Sequence, residues 1–496
     1  MDYETVIGLE VHAQLLTESK MFCSCSTRYK DATPNSVVCP ICLGMPGTLP
    51  SINQKAIEHV VRTGISLNCT IADETKFDRK NYPYPDLMKG YQISQFDQPI
   101  ASLGYLDLEQ ENGTRNIQIT RVHLEEDVAK LLHRSDQDGN AYSLLDVNRA
   151  GIPLMEIVSE PDIRTPEEAR LYLTKLQLIL RYLRVSSANM EEGSFRCDAN
   201  ISIREKGSET LGNKVEIKNM NSFRSVYRAL EYEIERQTNQ RSKGIRIVQE
   251  TRGWLEDKEI TVSQRSKEEA SDYRYFPDPD LLPVIISREW VEKLTGQLPE
   301  LPEARKQKYI KRFALSEYDS ALLTSSLDIS DFFESVVGSE RSLPDFVPKA
   351  LCNWILGELS RLVNSKGCEF QDVLIKPNQF IEFLHMIEDG TLSSNLAKTL
   401  FEEMFETGHS PKSISEKRGM IQINDEVLMT KVVEEALSNN RGPVDDYLNG
   451  KESALKFLIG QVMKSSRGKA NPKIVTTLIK DKLEGMRGSD EQQRNA

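Results

Sequence analysis

Residues 5–15, TVIGLEVHAQL, alternate in character along nearly their whole length. Ile7, Leu9, Val11 and Ala13 are apolar, and Glu10, His12 and Gln14 fall between them. Successive side chains of a strand point to opposite faces. Such a stretch is therefore a strand with one buried face, and it carries a carboxylate and an imidazole two residues apart on the other. The same period returns in TRVHLEED (120–127), where Arg121, His123 and Glu125 share a parity. It returns in RCDANISIR (196–204), with Arg196, Asp198 and Asn200 on one parity and Cys197, Ala199 and Ile201 on the other. KVEIKN (214–219) sets Lys214, Glu216 and Lys218 against Val215 and Ile217, and in LLDVNRAG (144–151) Asp146 and Asn148 share a parity. For any single strand a solvated outer face is sufficient explanation. Several strands in one region, all carrying acids, bases and amides with few Thr or Lys fillers, point instead to a sheet whose polar face is a charged cradle.

Strand patterns without regular βαβ spacing fill residues 1 to about 290, which predicts an α+β fold with a largely antiparallel sheet. Helices interrupt them at Lys55–Leu67 and after TPEEA, where Thr165 is an N-cap, Pro166 opens the first turn and Glu168 closes a capping box. The Pro-rich stretch GQLPELPEARK (296–306) marks a boundary, beyond which the pattern is helical to the end. A second break falls at GHSPKSISEKRG (408–419). The expected domains are a cradle over 1–293, an all-helical domain over 294–410 and a small helical tail over 411–496. No apolar run approaches the ~20 residues needed to span a bilayer. The strand pattern begins almost at once, so a cytoplasmic protein, or the mature form of an organelle protein, is expected.

Hard carboxylates with one or two histidines suit Mg²⁺, which bridges to substrate phosphates. The interspersed cations Arg79, Lys80, Arg196 and Lys218 suit the phosphates themselves. On this reading Glu10 and His12 are metal ligands in a nucleotide site. No G-x-x-x-x-G-K-[ST] loop occurs, SSRGKA (465–470) being incomplete, and no G-x-G-x-x-G follows a strand. Any ATP site is therefore built on a sheet face. Cys23-x-Cys25 and Cys39-x-x-Cys42 form two knuckles, a spacing that matches four thiolates around a structural Zn²⁺ better than a merely reduced cluster. Cys197 lies on an apolar parity and reads as core filler. A net charge of −12 excludes a general nucleic-acid coat. Residues 461–487 nevertheless hold seven Lys or Arg against two acids, and Lys464, Arg467 and Lys469 are candidate RNA-backbone contacts.

The stretches GLEVHAQL, KFDRKNY, GYQISQFDQPI, HLEED, NRAGIPLMEIVSEPD, MEEGSFRCDANIS, EIKNMNSF, ETRGW, DYRYFPDPDL and FLIGQVMKSSRGKANP resemble the B-subunit family of tRNA-dependent amidotransferases, GatB. The resemblance covers essentially the whole chain. It implies a glutamine synthetase-like cradle, a helical domain and a YqeY-like tail. It also implies a ligase that uses ATP to phosphorylate the side-chain carboxylate of Asp or Glu misattached to tRNA(Asn) or tRNA(Gln). Ammonia from a partner amidase A subunit then displaces phosphate, and a small C subunit completes a heterotrimer. Carried onto this chain, Glu10, His12 and Glu125 are the expected Mg²⁺ ligands, with Asp198, Glu216 and Lys218 serving the same site. The chain departs from the family pattern at Pro83, Met88, Val128 and Ala129, while the charged positions are kept.

Two other readings fit parts of the sequence. A tRNA-independent carboxylate–amine ligase leaves the basic tail unused. A non-catalytic tRNA scaffold leaves the acid-rich sheet face unexplained, since acids repel RNA unless a metal intervenes. The chain carries no Ser- and Gly-rich amidase stretch with a partnering Lys. The purified chain alone should therefore release no ammonia from glutamine in a coupled assay; robust hydrolysis would contradict the reading of an amidase-dependent partner.

Overall fold

The computed structural model describes residues 3–110, 113–266, 273–340, 343–418, 426–448, 450–465 and 472–494. The chain forms two compact units, Met1–Pro302 and Glu303–Ala496.

The first unit is organised by one nine-stranded sheet. Its strands are β1 (Tyr3–Gln14), β2 (Thr70–Ile71), β3 (Ala101–Gln110), β4 (Gly113–Glu126), β5 (Pro153–Ser159), β6 (Phe195–Glu205), β7 (Val215–Met220), β8 (Glu250–Leu255) and β9 (Ile260–Ser266). Across the sheet they run β9-β8-β7-β6-β1-β5-β4-β3-β2. The longest alternating stretch of the sequence thus occupies the centre. Neighbours are antiparallel except β7 and β8. A parallel pair needs a crossover, and the helix α3 (Phe223–Ser242) supplies it.

The apolar parity makes the core. Ile7, Leu9, Val11 and Ala13 are fully buried, as are Ala199, Ile201 and Ile217. They share one hydrophobic cluster with Val60 and Val61 of α1 (Gln54–Ser66), Leu173, Leu176 and Leu180 of α2 (Pro166–Tyr182), and Val226, Ala229 and Leu230 of α3. Three helices therefore cover one face and leave the polar parity to the other. Cys197 is buried in this cluster, as its parity requires. Leu294 also belongs to it, so the helix Arg288–Gly296, which straddles the boundary expected at 293, packs with the first unit.

Two local expectations change. Thr165 caps α2 by accepting from the Glu168 amide at 3.1 Å. The Glu168 carboxylate accepts from the Arg164 amide at 2.7 Å rather than closing a box on Thr165, because Arg115 Nη1 holds it at 2.9 Å. Asp146 and Asn148 do not share a strand face. The Asp146 carboxylate accepts from the Asn148 amide at 3.0 Å and folds Val147–Arg149 into a 3-10 turn. Asn148 is then fully buried, accepting from the Val37 amide at 2.8 Å and donating to the Thr33 carbonyl at 2.9 Å.

A separate three-stranded sheet, Asp78–Asn81, Tyr91–Ser94 and Phe276–Pro277, borders the end of β4. There the Ile93 amide donates to Glu126 Oε1 at 3.0 Å, and the Leu124 amide donates to Gln95 Oε1 at 3.0 Å.

The second unit is helical over its described residues and contains two cores. One gathers Phe333, Phe380, Phe383 and Phe401. The other gathers Val433, Leu458, Val462, Val475, Ile479 and Leu483. The stretch SALLTSSLDISDFFESVV divides into Glu317–Leu323 and Leu327–Val337. The break anticipated over 408–419 contains a helix, Pro411–Arg418, whose Ile414 is buried in the first of these cores.

Gly104 lets β3 pass close to the chain that follows α1. A Cβ there would overlap Cys69 Sγ and lie 2.5 Å from the Leu67 carbonyl oxygen, a backbone atom that cannot step aside. Gly104→Ala should lower the stability of the first unit by about 1–3 kcal/mol. Calorimetric melting of the full chain checks this, and an unchanged transition would contradict the close approach.

Candidate functional site

Register across the centre of the sheet sets the site. His12 of β1 stands opposite Arg196 of β6 on one side and Glu156 of β5 on the other, and Glu156 stands opposite His123 of β4. Arg196, His12, Glu156 and His123 thus lie abreast on four adjacent strands. Glu125 follows His123 on the same parity of β4. His12 Nε2 is 3.6 Å from Glu125 Oε1 and 3.6 Å from Glu156 Oε2. These separations are too long for hydrogen bonds. They fall inside the about 4.2 Å that two ligands on opposite sides of one Mg²⁺ span. One ligand atom from each of His12, Glu125 and Glu156 lies within 4.8 Å of the others.

The electrostatics of this triangle are unbalanced without a cation. Burial pushes the Glu125 carboxyl up, and the neighbouring Glu156 adds to the push. Burial opposes ionisation of Glu156 too, but His123, which approaches it at 3.1 Å, together with His12 and Arg121, holds it well below the usual carboxylate range. The two carboxyls are thus pushed in opposite directions. A divalent cation placed between them would offset both negative charges.

Glu10 and Asp198 stand opposite each other on β1 and β6. Glu10 Oε1 accepts from Asn200 Nδ2 at 2.8 Å and lies outside the triangle. Lys218 pairs with Asp198 and, at 3.2 Å, with Glu216, whose other oxygen accepts from Thr251 at 2.7 Å. Burial works against the Lys218 charge, but the two carboxylates raise its pKa above the usual lysine value.

Lys80 approaches the triangle from the three-stranded sheet. Its ammonium sits 5.6 Å from the Tyr82 ring centre and 5.0 Å from that of Tyr273, and it favours ionisation of Glu125. Beside it Phe96 and Tyr275 stack at 4.3 Å. Arg79, one residue earlier and on the opposite parity, pairs with Asp278 and Asp280 at 2.8 Å each, and so is not brought together with Lys80. Arg196 pairs with Asp127 at 3.0 Å. Asp127 also accepts from Gln14 at 2.8 Å. Burial opposes the charge of Asp127, but Arg196 and Arg149 hold its carboxyl below the usual range.

One residue of this arrangement, Glu156, escapes sequence reasoning, and a second, His123, is placed there on a polar parity without a role of its own. Glu156 is the one polar side chain on its parity in PLMEIVS, flanked by Leu154 and Val158, so no alternating row of charges marks it. His123 lies on the polar parity of its strand but gains meaning only once register sets it opposite Glu156.

The four cysteines also converge. One Sγ from each of Cys23, Cys25, Cys39 and Cys42 lies within 4.8 Å of the others, and none is in a disulfide. Four ligands at ~2.3 Å around one ion stand about 3.8 Å apart, so the cluster is compatible with a structural metal. Cys42 Sγ accepts from the Cys39 amide at 3.1 Å. Hydrogen bonding to the Cys23 thiol lowers the Cys42 thiol to about 4 against burial, and burial raises the Cys25 thiol to about 11. Lys464 is exposed on the last turn of the helix Ser453–Ser465, whereas Arg467 and Lys469 lie outside the described residues.

Comparison with known proteins adds the family. The GatB/GatE catalytic domain matches residues 5–292, and a GatB domain matches residues 331–483. The chain belongs to the GatB family. The B subunit of the aspartyl/glutamyl-tRNA(Asn/Gln) amidotransferase of Dehalococcoides mccartyi is 54% identical over 487 residues, 97% of this chain and 99% of the relative. Proteins of the same name from Carboxydothermus hydrogenoformans and Caldanaerobacter subterraneus subsp. tengcongensis are 51% and 52% identical, each over 97% of this chain. The GatB/GatE catalytic match contains the whole charged sheet face and both cysteine knuckles; the second GatB match contains the basic stretch of the tail up to residue 483.

Asp127 is the buried anion between Arg196, Arg149 and Gln14. Asp127→Asn keeps the shape and removes the charge. It should destabilise the first unit by about 1–3 kcal/mol, the lower part of that range reflecting the partial exposure of Arg196. Because its folded pKa is depressed, this contribution is complete above the ordinary aspartate pKa and is lost as pH falls through the lower, folded value. Urea unfolding at neutral and acidic pH checks both parts. Equal stability of variant and wild type at neutral pH would contradict the role.

Proposed function

We propose that this chain is the activating component of a tRNA-dependent amidotransferase. It phosphorylates the side-chain carboxylate of Asp or Glu carried by tRNA(Asn) or tRNA(Gln) with ATP, and the activated acyl group then receives ammonia from a partner amidase. The observation that carries this reading is the His12–Glu125–Glu156 triangle on the open face of the central sheet, flanked by Lys80 on one side and Lys218 on the other.

A carboxylate is a poor acceptor for ammonia until one oxygen becomes a leaving group. Transfer of the γ-phosphoryl group of ATP supplies it and releases ADP. Attack by ammonia at the acyl carbon then expels phosphate and leaves the amide. His12, Glu125 and Glu156 are the residues that would hold Mg²⁺. Bound there, the ion would neutralise charge on the transferring phosphoryl group. Lys218, fixed by Asp198 and Glu216, offers a second positive charge on the same face. Arg196, fixed by Asp127, offers a third. Glu10, held by Asn200, borders the row and orients the polar face around it. The rings of Tyr82 and Tyr273 lie against the Lys80 ammonium, and Tyr275 stacks on Phe96 beside them.

The cysteine cluster reads as a Zn²⁺ site: four sulfur ligands and no open position make it structural rather than catalytic. The amidase (the A subunit) and a small C subunit complete a heterotrimer, with the tail contributing to the grip on tRNA. Among the described residues no helix is long and apolar enough to cross a membrane. Because the substrate is part of translation, the site of action is the cytoplasm or the matrix or stroma of a translating organelle.

Reconstitution with the A and C subunits, assayed with each misacylated tRNA, ATP and either glutamine or ammonium, tests the function. His12→Ala and Glu156→Gln should each lower amide formation at least about a hundredfold with either nitrogen donor, since the activation step precedes the choice of donor. Replacing Lys464, Arg467 and Lys469 with Ala should instead raise KM for aminoacyl-tRNA and leave KM for ATP unchanged. Full activity in the cradle variants, or an unchanged tRNA KM in the tail variant, would overturn the corresponding assignment.

Elemental analysis of the purified chain should return one zinc per molecule. Cys39→Ser should lose that zinc and destabilise the first unit more than it slows phosphoryl transfer. Stoichiometric absence of zinc from the wild-type chain would remove the assignment.

A further inference from the structure

Lys20 is fully buried, and among the described residues no carboxylate pairs with it. Its Nζ donates to the Val37 carbonyl at 2.9 Å and to Cys42 Sγ at 3.7 Å. An ammonium removed from water loses more solvation than one carbonyl returns, so it persists in such a place only beside an anion. Four thiolates around a divalent cation carry a net charge of −2. They are soft, weakly hydrated acceptors that a buried N–H donor can approach without a water shell between.

The backbone fixes Lys20 between the two knuckles. Its amide donates to the Cys25 carbonyl at 2.9 Å, while its side chain reaches Val37 and Cys42 of the second knuckle. The next residue ties this arrangement to the sheet unit. The Met21 amide donates to the Gly151 carbonyl at 2.7 Å, and the Gly151 amide donates to the Asp127 carbonyl at 2.9 Å. Gly151 has positive φ, and a Cβ on it would stand 3.5 Å from Lys20 Cδ and 3.7 Å from Cys42 Cβ, so the lysine stem is packed as well as bonded.

We propose that Lys20 is the internal counter-ion of the metal-loaded Cys23/Cys25/Cys39/Cys42 centre, lowering its net charge from −2 to −1 and setting how tightly the metal is retained. The proposal rests on the zinc reading of the cluster. Lys20 is a positioning residue: it touches a ligand sulfur, not the reacting atoms.

The test uses the full zinc-loaded chain. Zinc transfer to a chromogenic chelator is timed for wild type, Lys20→Met and Lys20→Gln, and the Co²⁺-substituted proteins are compared by their thiolate-to-metal absorption. Outer-shell partners of metal ligands typically alter metal affinity about 10–100-fold. Both variants should therefore release zinc faster by about that factor, and the sulfur-to-cobalt band should move to longer wavelength as its counter-charge is lost. Lys20→Gln keeps a donor without the charge, so agreement between the two variants assigns the effect to charge. Release within twofold of wild type in both would overturn the proposal. Should the variants fail to fold, amine labelling of the wild-type chain serves. Lys20 should become reactive when chelator removes the metal, while the exposed Lys55 does not change; unaltered labelling of Lys20 would overturn the proposal equally. A wild-type chain without stoichiometric zinc would refute the zinc reading itself, a result distinct from any of these.

Discussion

The register of β1 between β5 and β6 is the constraint on which the rest of the cradle depends. The side-chain period of a strand is two, so a one-residue slip would send Glu10 and His12 into the helix-covered core and bring Leu9 and Val11 to the open face. That slip is closed off by Ile7, Leu9, Val11 and Ala13, each fully buried against the helices. The hydrophobic effect thus sets the register, and the register sets the chemistry. With β1 fixed, His12 is abreast of Glu156 and Arg196, and Glu10 is abreast of Asp198. None of these polar side chains could choose its neighbour unaided.

The open face gathers more buried charge than a sheet needs for stability. Each cluster resolves its charge by a different route. Asp127 is satisfied by two guanidinium groups and an amide, and Lys218 by two carboxylates. Glu125 is buried near a second carboxylate, and these two effects raise its pKa against the pull of His12 and Lys80. Perturbation of that kind, with an imidazole equidistant from two carboxylates, marks a functional position better than the number of acids does. The cysteine knuckles show the converse, where a lysine without a carboxylate lies against a sulfur.

The sequence was most legible where period and burial agree. Alternation in residues 5–15, 196–204 and 214–219 is enough to find β1, β6 and β7 and to say which residues share a face. The cysteine spacing likewise brings four sulfurs together without knowledge of the fold. Strand order, by contrast, is a long-range property. Glu156 lies in an apolar-looking stretch and becomes a neighbour of His12 only because β5 returns beside β1 after some 140 residues of chain. Arg79 and Lys80 are adjacent in sequence, yet strand parity sends one to Asp278 and the other toward Glu125. Asp146 and Asn148 failed as a strand pair for a local reason: an aspartate side chain that captures the amide two residues on competes with the ladder and turns the chain.

The central claim is that one divalent cation is held by His12, Glu125 and Glu156 rather than by Glu10, His12 and Glu125. Crystals of the full chain grown with Mn²⁺, measured for anomalous scattering, test it most directly. One anomalous peak is expected about 2.1 Å from His12 Nε2 and from an oxygen of each of Glu125 and Glu156, with Glu10 still bonded to Asn200. A peak ligated by Glu10 in place of Glu156, or none near His12, would contradict it.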